Sequence, residues 1–465
     1  MKADRGRKYR AYPTSAQDEI LTGWGHDVRA LWNLALEHRM MVGRKHDGTW
    51  VWSAEQCLLL TEVRKDPDDA VNWLSRLPAQ AGQQVLRHLD RAFVNMANPD
   101  HPAGPPVFKR RGTAMSISFP GQSVRLRKLN RHWAEVRIPK LGWVRFRLSR
   151  SLGGAVRNCV LVRDGLGWHV AFGVHTGAVD APPNGKPGCG VDFGVAVSAY
   201  VSTENKPRLM RPTLTPGEQR RLRGLQQRKS RQLKHAKKHN GGRYSKRLRK
   251  TITQIAALTS RQARRRLDFT HKLTTDLAKN HGFVGIEDLR VTSMTATARG
   301  TVTRTGARVK QKAGLNRAIL DNMPGERRRQ LEYKTRQYGS ELRPVPPGGT
   351  SQSCPSCGER DPQSRVGCGR EFACVHCGFT GHADKTASIE IEARARRTGG
   401  TVTKSTRRPR KEPSRHRTPV GRRTREPAAG SLTAASGATA ADPVAGPSIR
   451  VHLQADNSGF RASEG

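Results

Sequence analysis

Four cysteines constrain this chain more than any other feature. Cys354 and Cys357 form one C-x2-C pair and Cys374 and Cys377 another, with sixteen residues between the pairs. That spacing predicts a four-thiolate zinc ribbon. A glycine follows each pair at once, Gly358 or Gly378, and lets the knuckle turn. Four thiolates complete a tetrahedron and leave no open position, so the zinc is expected to be structural. Cys368 lies between the pairs as a competing ligand that the pattern does not need; Cys57, Cys159 and Cys189 are scattered. In a reducing compartment such knuckles read as metal ligands, not disulfides.

A structural metal needs no acid beside it, yet Asp384 follows Cys377 closely, at the start of an apolar-periodic run that predicts a helix. Two further acids stand out. Asp192 lies in GVDFGVAVSAYV, where a strand would put Val191, Phe193, Val195 and Val197 on one face and Asp192, Gly194 and Ala196 on the other. Small neighbours there leave room for a metal and a phosphate. Glu287 closes a second apolar strand, FVGIE, and Asp288 beside it should point away. Taken singly, Glu287 is equally a strand-end cap, and Asp384 equally an acid favoured by the helix dipole. Together, three acids from two strands and one helix can hold two divalent ions for phosphodiester hydrolysis. Hard oxygen ligands suit magnesium or manganese.

Charge points to the substrate class. The 465 residues carry 84 Lys and Arg against 38 Asp and Glu, a formal net charge of +46. An excess of that size calls for a polyanion, and nucleic acid is the expected partner. A membrane-surface protein would need amphipathic helices with a lipid-facing side, and no strong one is evident. No run of eighteen apolar residues occurs and the N-terminus has no apolar core, so neither a transmembrane helix nor a signal peptide is expected. A cytoplasmic location follows.

Along the chain, residues 1–110 read as a short basic strand followed by helices, with Thr14 or Ser15 as the first N-cap and Val85, Leu89, Ala92 and Phe93 on one helical face. Residues 115–178 alternate as short strands with turns at KLGW and DGLGW, which predicts a small barrel or sheet. Residues 179–188 read as a linker, and residues 218–280 as two strongly basic helices, the second with Phe269, Leu273 and Leu277 on one face. Between 218 and 250 the sole acid is Glu218, so few ion pairs can be local and nucleic-acid contact is expected. Residues 295–314 are expected to be irregular and mobile, RRRQLEYKTRQYG helical, and the Arg-, Pro- and Ser-rich tail from 395 to 465 disordered.

The ordered set of motifs resembles a known family. KYRAYPTSAQ, PPVFKRR, VRIPKLGWVRF, GVDFGV, GIEDL, LEYK, TSQSCPSCG, FACVHCG and HADKTASIEI occur in the order seen in the TnpB, or OrfB, proteins encoded by insertion sequences. These are related to the type V CRISPR effector nucleases. The resemblance covers roughly residues 7–392 and implies an α+β multidomain chain. Residues 1–178 would form an N-terminal β-barrel with a helical recognition insertion at about 15–105. Residues 189–394 would form an RNase H-like RuvC nuclease domain, with a helical hairpin at 218–280 and a zinc ribbon at about 350–380 inserted in it.

The resemblance implies Asp192, Glu287 and Asp384 as catalytic acids binding magnesium or manganese, and Cys354, Cys357, Cys374 and Cys377 as zinc ligands. It implies a guide RNA from the element's end, a double-stranded DNA target with a short flanking motif, a monomer, and a bacterial, nucleoid-associated location. The activity implied is RNA-guided DNA cleavage; a nuclease-inactive repressor and a transposase acting in DNA recombination are the alternatives. The third motif departs from the family's usual AD-NAA-NI: Thr386 and Glu390 stand where two Asn are usual.

Overall fold

The computed structural model describes residues 5–43, 48–68, 71–99, 103–110, 116–177, 180–301 and 303–398. Its first sheet has seven strands: β1 (Arg5–Tyr12), β2 (Ser116–Pro120), β3 (Arg125–Lys128), β4 (Trp133–Ile138), β5 (Gly142–Arg147), β6 (Ala155–Asp164) and β7 (Gly167–His175), in the order β2-β6-β7-β1-β5-β4-β3. The edge strands β2 and β3 are joined by only residues 121–124. That link reaches about 17 Å at most, whereas the edges of a flat seven-stranded sheet would lie about 29 Å apart. The sheet must therefore curl on itself. β1 makes the change of direction, pairing with β7 through Arg10 and with β5 from Ala11.

Among the described residues three α-helices lie between β1 and β2 in the chain: α1 (Ser15–Val42), α2 (Ser53–Val63) and α3 (Ala79–Ala97). Thr14 caps α1, accepting from the Gln17 amide while the Gln17 side chain accepts from the Thr14 amide. The apolar faces of α1 and α3 close one side of a core built on Tyr9, Phe119, Phe146 and Phe172 from the sheet and Leu21, Trp24, Leu86 and Leu89 from the helices. In α3, Val85 and Leu89 are buried; Ala92 and Phe93 are half-buried at its margin.

The second sheet, in the order β11-β10-β8-β9, consists of β8 (Cys189–Asp192), the short β9 (Tyr200–Val201), β10 (Phe283–Glu287) and β11 (Glu341–Val345). β8, β10 and β11 run parallel and β9 antiparallel. Between β9 and β10 come α4 (Pro216–His239) and α5 (Lys246–Asn280); between β10 and β11 come α6 (Val291–Met294), α7 (Val309–Asp321) and α8 (Pro324–Gln337). Strand alternation sorts the two faces. Val191, Val284 and Ile286 meet Leu273 and Leu277 of α5 and Leu331 of α8.

The opposite face receives the last helix, α9 (Ala383–Arg397). That face is nearly bare at two positions in register, Gly190 and Gly285. A Cβ on Gly190 would sit 2.1 Å from the Ser388 carbonyl oxygen, and one on Gly285 would sit 2.8 Å from the Ala395 Cβ. Gly190→Ala is expected to lift α9 off the sheet at a cost of roughly 2–3 kcal/mol, read as an earlier denaturant midpoint. An unchanged midpoint would show that the helix can yield.

Four expectations need correction. The strand read in GVDFGVAVSAYV is broken: β8 ends at Asp192, an irregular segment follows, and Val195 is exposed, because the chain there is held by the side chains of Asn322, just after α7, and Arg327 of α8 rather than by a sheet partner. Gly194 and Ala196, expected beside Asp192 on one strand face with room for ligands, lie beyond the end of β8, and a Cβ on Gly194 would sit 2.7 Å from the Val197 carbonyl oxygen. Residues 180–188 are not a free tether; Ala181 donates to Arg336, Asn184 bridges His281 and Tyr338, and Lys186 reaches the Lys279 carbonyl. Residues 295–314 include the start of α7, and β11 was not anticipated because its proline at position 344 hides a strand that pairs through one edge only. The expected tail falls outside the described residues except at its start, where α9 continues to Arg397 and buries Ala395.

Candidate functional site

The register of the parallel strands builds the site. Gly285 lies opposite Gly190 and Ile286 opposite Val191, so Glu287 and Asp192 end neighbouring strands on the same face. This is the carboxyl edge of the sheet, where open α/β sheets place their ligands. α9 crosses that face with Ser388 over Gly190. Its first turn, one turn before Ser388, carries Asp384 to the same edge. Each acid is preceded on its strand by the glycine, two residues earlier, that admits the helix supplying the third acid.

All three carboxylates are half-buried. Burial pushes the Asp192 carboxyl up to about 7, and the charges of Glu287 and Asp384 push the same way; Arg365 opposes them. Burial also raises Glu287, against a hydrogen bond from Thr350 and the charge of Arg394. A buried carboxyl raised by the charges of two neighbouring acids marks a place where a cation would be favoured. Their oxygens do not all lie within 4.8 Å of one another; among the described residues only the four cysteine sulfurs form such a set. Asp288 turns away, as expected, and pairs with Arg328 of α8.

Several groups that hold these acids carry no signal in the sequence. Arg327, 1 % exposed, donates to the Ser198 carbonyl and to Asn322, and Asn322 donates to the Val195 carbonyl. The pair fixes the irregular segment that follows Asp192. Lys385, beside Asp384, donates to the carbonyls of Ser202 and Glu204 and pins the start of α9 to the end of β9. A long-range hydrogen bond to a main-chain carbonyl has no periodicity, so only the folded chain reveals it.

The four cysteines close a small three-stranded module of β12 (Arg365–Val366), β13 (Glu371–Ala373) and β14 (Thr380–His382). The sulfurs of Cys354 and Cys377 lie 3.6 Å apart, as do those of Cys357 and Cys374. Tetrahedral zinc with bonds of about 2.3 Å requires sulfurs about 3.8 Å apart. The set therefore fits a structural zinc. Backbone amides of Cys377 and His376 hold the Cys374 thiol down, to about 6, so it is ready to bind as thiolate. Gly358 and Gly378 both adopt positive φ, 79° and 73°, at the knuckle turns. The side chain of Cys368 lies outside the described residues.

The basic hairpin is an unshielded polycation. α4 buries only Leu225 and Ala236, and Glu218 in its first turn is taken by Arg261 and Arg265 of α5. Among the described residues no ion pair engages any Lys or Arg between 219 and 250. No described helix is long and apolar enough to cross a membrane.

Comparison with known proteins gives the family. The chain is 34 % identical over 395 residues, 84 % of its own length and 92 % of the relative's, to a protein of Escherichia coli (strain K12) named "Putative RNA-guided DNA endonuclease InsQ". It belongs to the TnpB/OrfB family. A Streptomyces pristinaespiralis member, "Putative RNA-guided DNA endonuclease", is 29 % identical over 84 % of this chain and 89 % of that protein. Family models match in three stretches: "Helix-turn-helix domain" of OrfB over residues 1–41, "Probable transposase" of OrfB over 170–298, and "Cas12f1-like, TNB domain" over 325–391. The last spans this TnpB/OrfB chain's ribbon and Asp384. Among solved structures, "Structure of the mini-RNA-guided endonuclease CRISPR-Cas_phi3" overlaps 84 % of this chain and 92 % of that one, at TM-score 0.43 and 12 % identity.

Proposed function

We propose that this protein is an RNA-guided, divalent-metal-dependent DNA endonuclease of a transposable element. The observation that carries the reading is the meeting of Asp192, Glu287 and Asp384 at one sheet edge, in a chain whose relatives are named RNA-guided DNA endonucleases. In this reading the second sheet with its helices is an RNase H-like RuvC nuclease domain over residues 189–394, and the curled first sheet is a β-barrel carrying α1–α3 as a recognition insertion.

The three carboxylates offer hard oxygen donors spaced more widely than a single-ion cage, which suits two magnesium or manganese ions. When bound, such ions activate a water and stabilise the leaving oxygen. The chain's own part is to hold the acids: the parallel register aligns Asp192 with Glu287, α9 brings Asp384, and Lys385 fixes its first turn. The Cys354, Cys357, Cys374 and Cys377 zinc keeps the ribbon folded beside them. The guide RNA pairs with the target strand while the protein holds backbones. A monomer in the bacterial cytoplasm, associated with the nucleoid, is the form proposed.

Protein co-expressed with its flanking genomic DNA is purified, its RNA sequenced, and the complex incubated with magnesium and a plasmid carrying the matching target behind a randomised flank. Guided cuts are expected. Bound RNA and target without cuts would favour a guided repressor, and joining of element ends a transposase. The exposed α4 cations are expected to hold RNA through its phosphates. Replacing Arg228, Arg231 and Lys238 by Gln should weaken RNA retention and flatten its salt dependence by roughly 0.7–0.9 in log–log slope for each phosphate no longer neutralised. An unchanged slope would remove α4 from the RNA surface.

A further inference from the structure

We propose that Thr350 is a positioning residue for Glu287, and that Arg394 and Glu390 of α9 lock Thr350 in place. This rests on the reading of Glu287 as a metal-binding acid.

The side chain of Thr350, 3 % exposed, lies on the loop between β11 and Cys354. Its hydroxyl has one proton and two acceptors in reach, Glu287 Oε1 at 2.5 Å and the Pro347 carbonyl at 3.1 Å. The closer one is the carboxylate, and a charge-assisted hydrogen bond is the stronger. The bond fixes one oxygen of Glu287 at the end of β10, the strand that pairs with the strand of Asp192.

That loop contains two prolines and two glycines in PPGGT and makes no sheet pairing there, so something else must hold it. Arg394 does. Its guanidinium donates to the carbonyls of Pro346 at 3.2 Å and Gly348 at 2.8 Å and to Ser353 Oγ at 3.4 Å. Its remaining Nε–H goes to Glu390 Oε1 at 2.7 Å. A planar fork with five donors can clasp a loop in this way and a lysine cannot. Glu390 is 8 % exposed, so it is the buried counter-ion that keeps the fork oriented.

Position 390 is one of the two at which this chain lacks an Asn that is usual in the third motif. Here the departure is structural: the acid secures the arginine, the arginine secures the loop, and the loop presents Thr350. The ribbon and the helix of Asp384 thus share one support for the acid of β10.

The test uses the full RNA-loaded protein and Mn2+ as the probe, titrated by electron paramagnetic resonance, with magnesium-dependent cleavage followed in parallel. Thr350→Val keeps the shape and deletes the hydroxyl. It is expected to raise the half-saturating Mn2+ concentration at least about tenfold, within the range that loss of a ligand's hydrogen-bond partner causes. Zinc content should be unchanged, and Thr350→Ser should return Mn2+ binding to within about threefold of wild type. Thr350→Val that binds Mn2+ like wild type, or Thr350→Ser as impaired as Thr350→Val, overturns the proposal. Should Thr350→Val lose its zinc, Arg394→Lys is read instead: weaker Mn2+ binding with zinc retained supports the proposal, and unchanged binding overturns it. If the wild type binds no Mn2+ that Asp192→Ala removes, it is the metal-site reading of the acids that fails. If that Mn2+ is present and Thr350→Val leaves it alone, the acids stand and the role of Thr350 is overturned.

Discussion

Asp192→Ala is expected to reduce guided cleavage by more than the roughly 100-fold that outer hydrogen-bond losses reach, while guide RNA and target binding stay within about twofold. In the proposed reading the nucleic acid is held by cations spread over the chain, and Asp192 is not among the groups that would hold it. A second readout separates a metal-binding acid from a structural one. Burial and the neighbouring carboxylates raise Asp192 to about 7 in the folded chain, against an ordinary value near 3.8. The folded state therefore binds this proton more tightly than the unfolded state. The cost of ionising Asp192 is absent below about pH 4 and fully present above about pH 7, where it reaches a few kcal/mol. In magnesium-free buffer at pH 8, Asp192→Asn should then unfold at a higher temperature than wild type, and the gain should vanish near pH 4. A destabilised Asn variant at pH 8, or binding lost in step with cutting, would make Asp192 a structural residue.

How much of this was legible in the residues follows from the range of the interactions. The cysteine spacing, the N-cap at Thr14 or Ser15, the basic hairpin and the apolar strand FVGIE are local patterns, and each appears in the fold where its pattern lies, the cap at Thr14. The acids could be singled out, but their meeting depends on two features with a different meaning in three dimensions. Gly190 and Gly285, as letters in two apolar runs, carry no sign of a contact; in the fold they are places where α9 rests on the sheet. The segment after Asp192 alternates like a strand, yet it leaves the sheet because Arg327 and Asn322, more than 120 residues away, capture its carbonyls. Alternation records which side chains are apolar and is silent about which backbone groups a distant arginine will satisfy. The same holds for Glu390, which as a sequence letter is a departure from a motif and in the fold is the partner of Arg394.

Cys374→Ser is the second large effect. Cys374 and Cys354 are buried under Phe372 and Phe379, whereas Cys357 and Cys377 are exposed. The core of the ribbon is little more than these few side chains, too small to fold on apolar burial alone, so the metal must supply the missing free energy. Zinc–thiolate binding in comparable small modules is worth on the order of 10–16 kcal/mol. Serine is a poor zinc ligand, and it also gives up the sulfur that the amides of Cys377 and His376 hold ready as thiolate. The variant is expected to purify with zinc well below one ion per chain and to be cut by protease within about residues 350–380. The curled first sheet, with its own core, should unfold as in wild type. Cleavage should fall as well, because the loop that presents Thr350 to Glu287 runs directly into Cys354. Metal measurement and limited proteolysis check the first two statements. A zinc-replete, protease-resistant variant would mean that three cysteines suffice, and Cys374 would lose its place among the ligands.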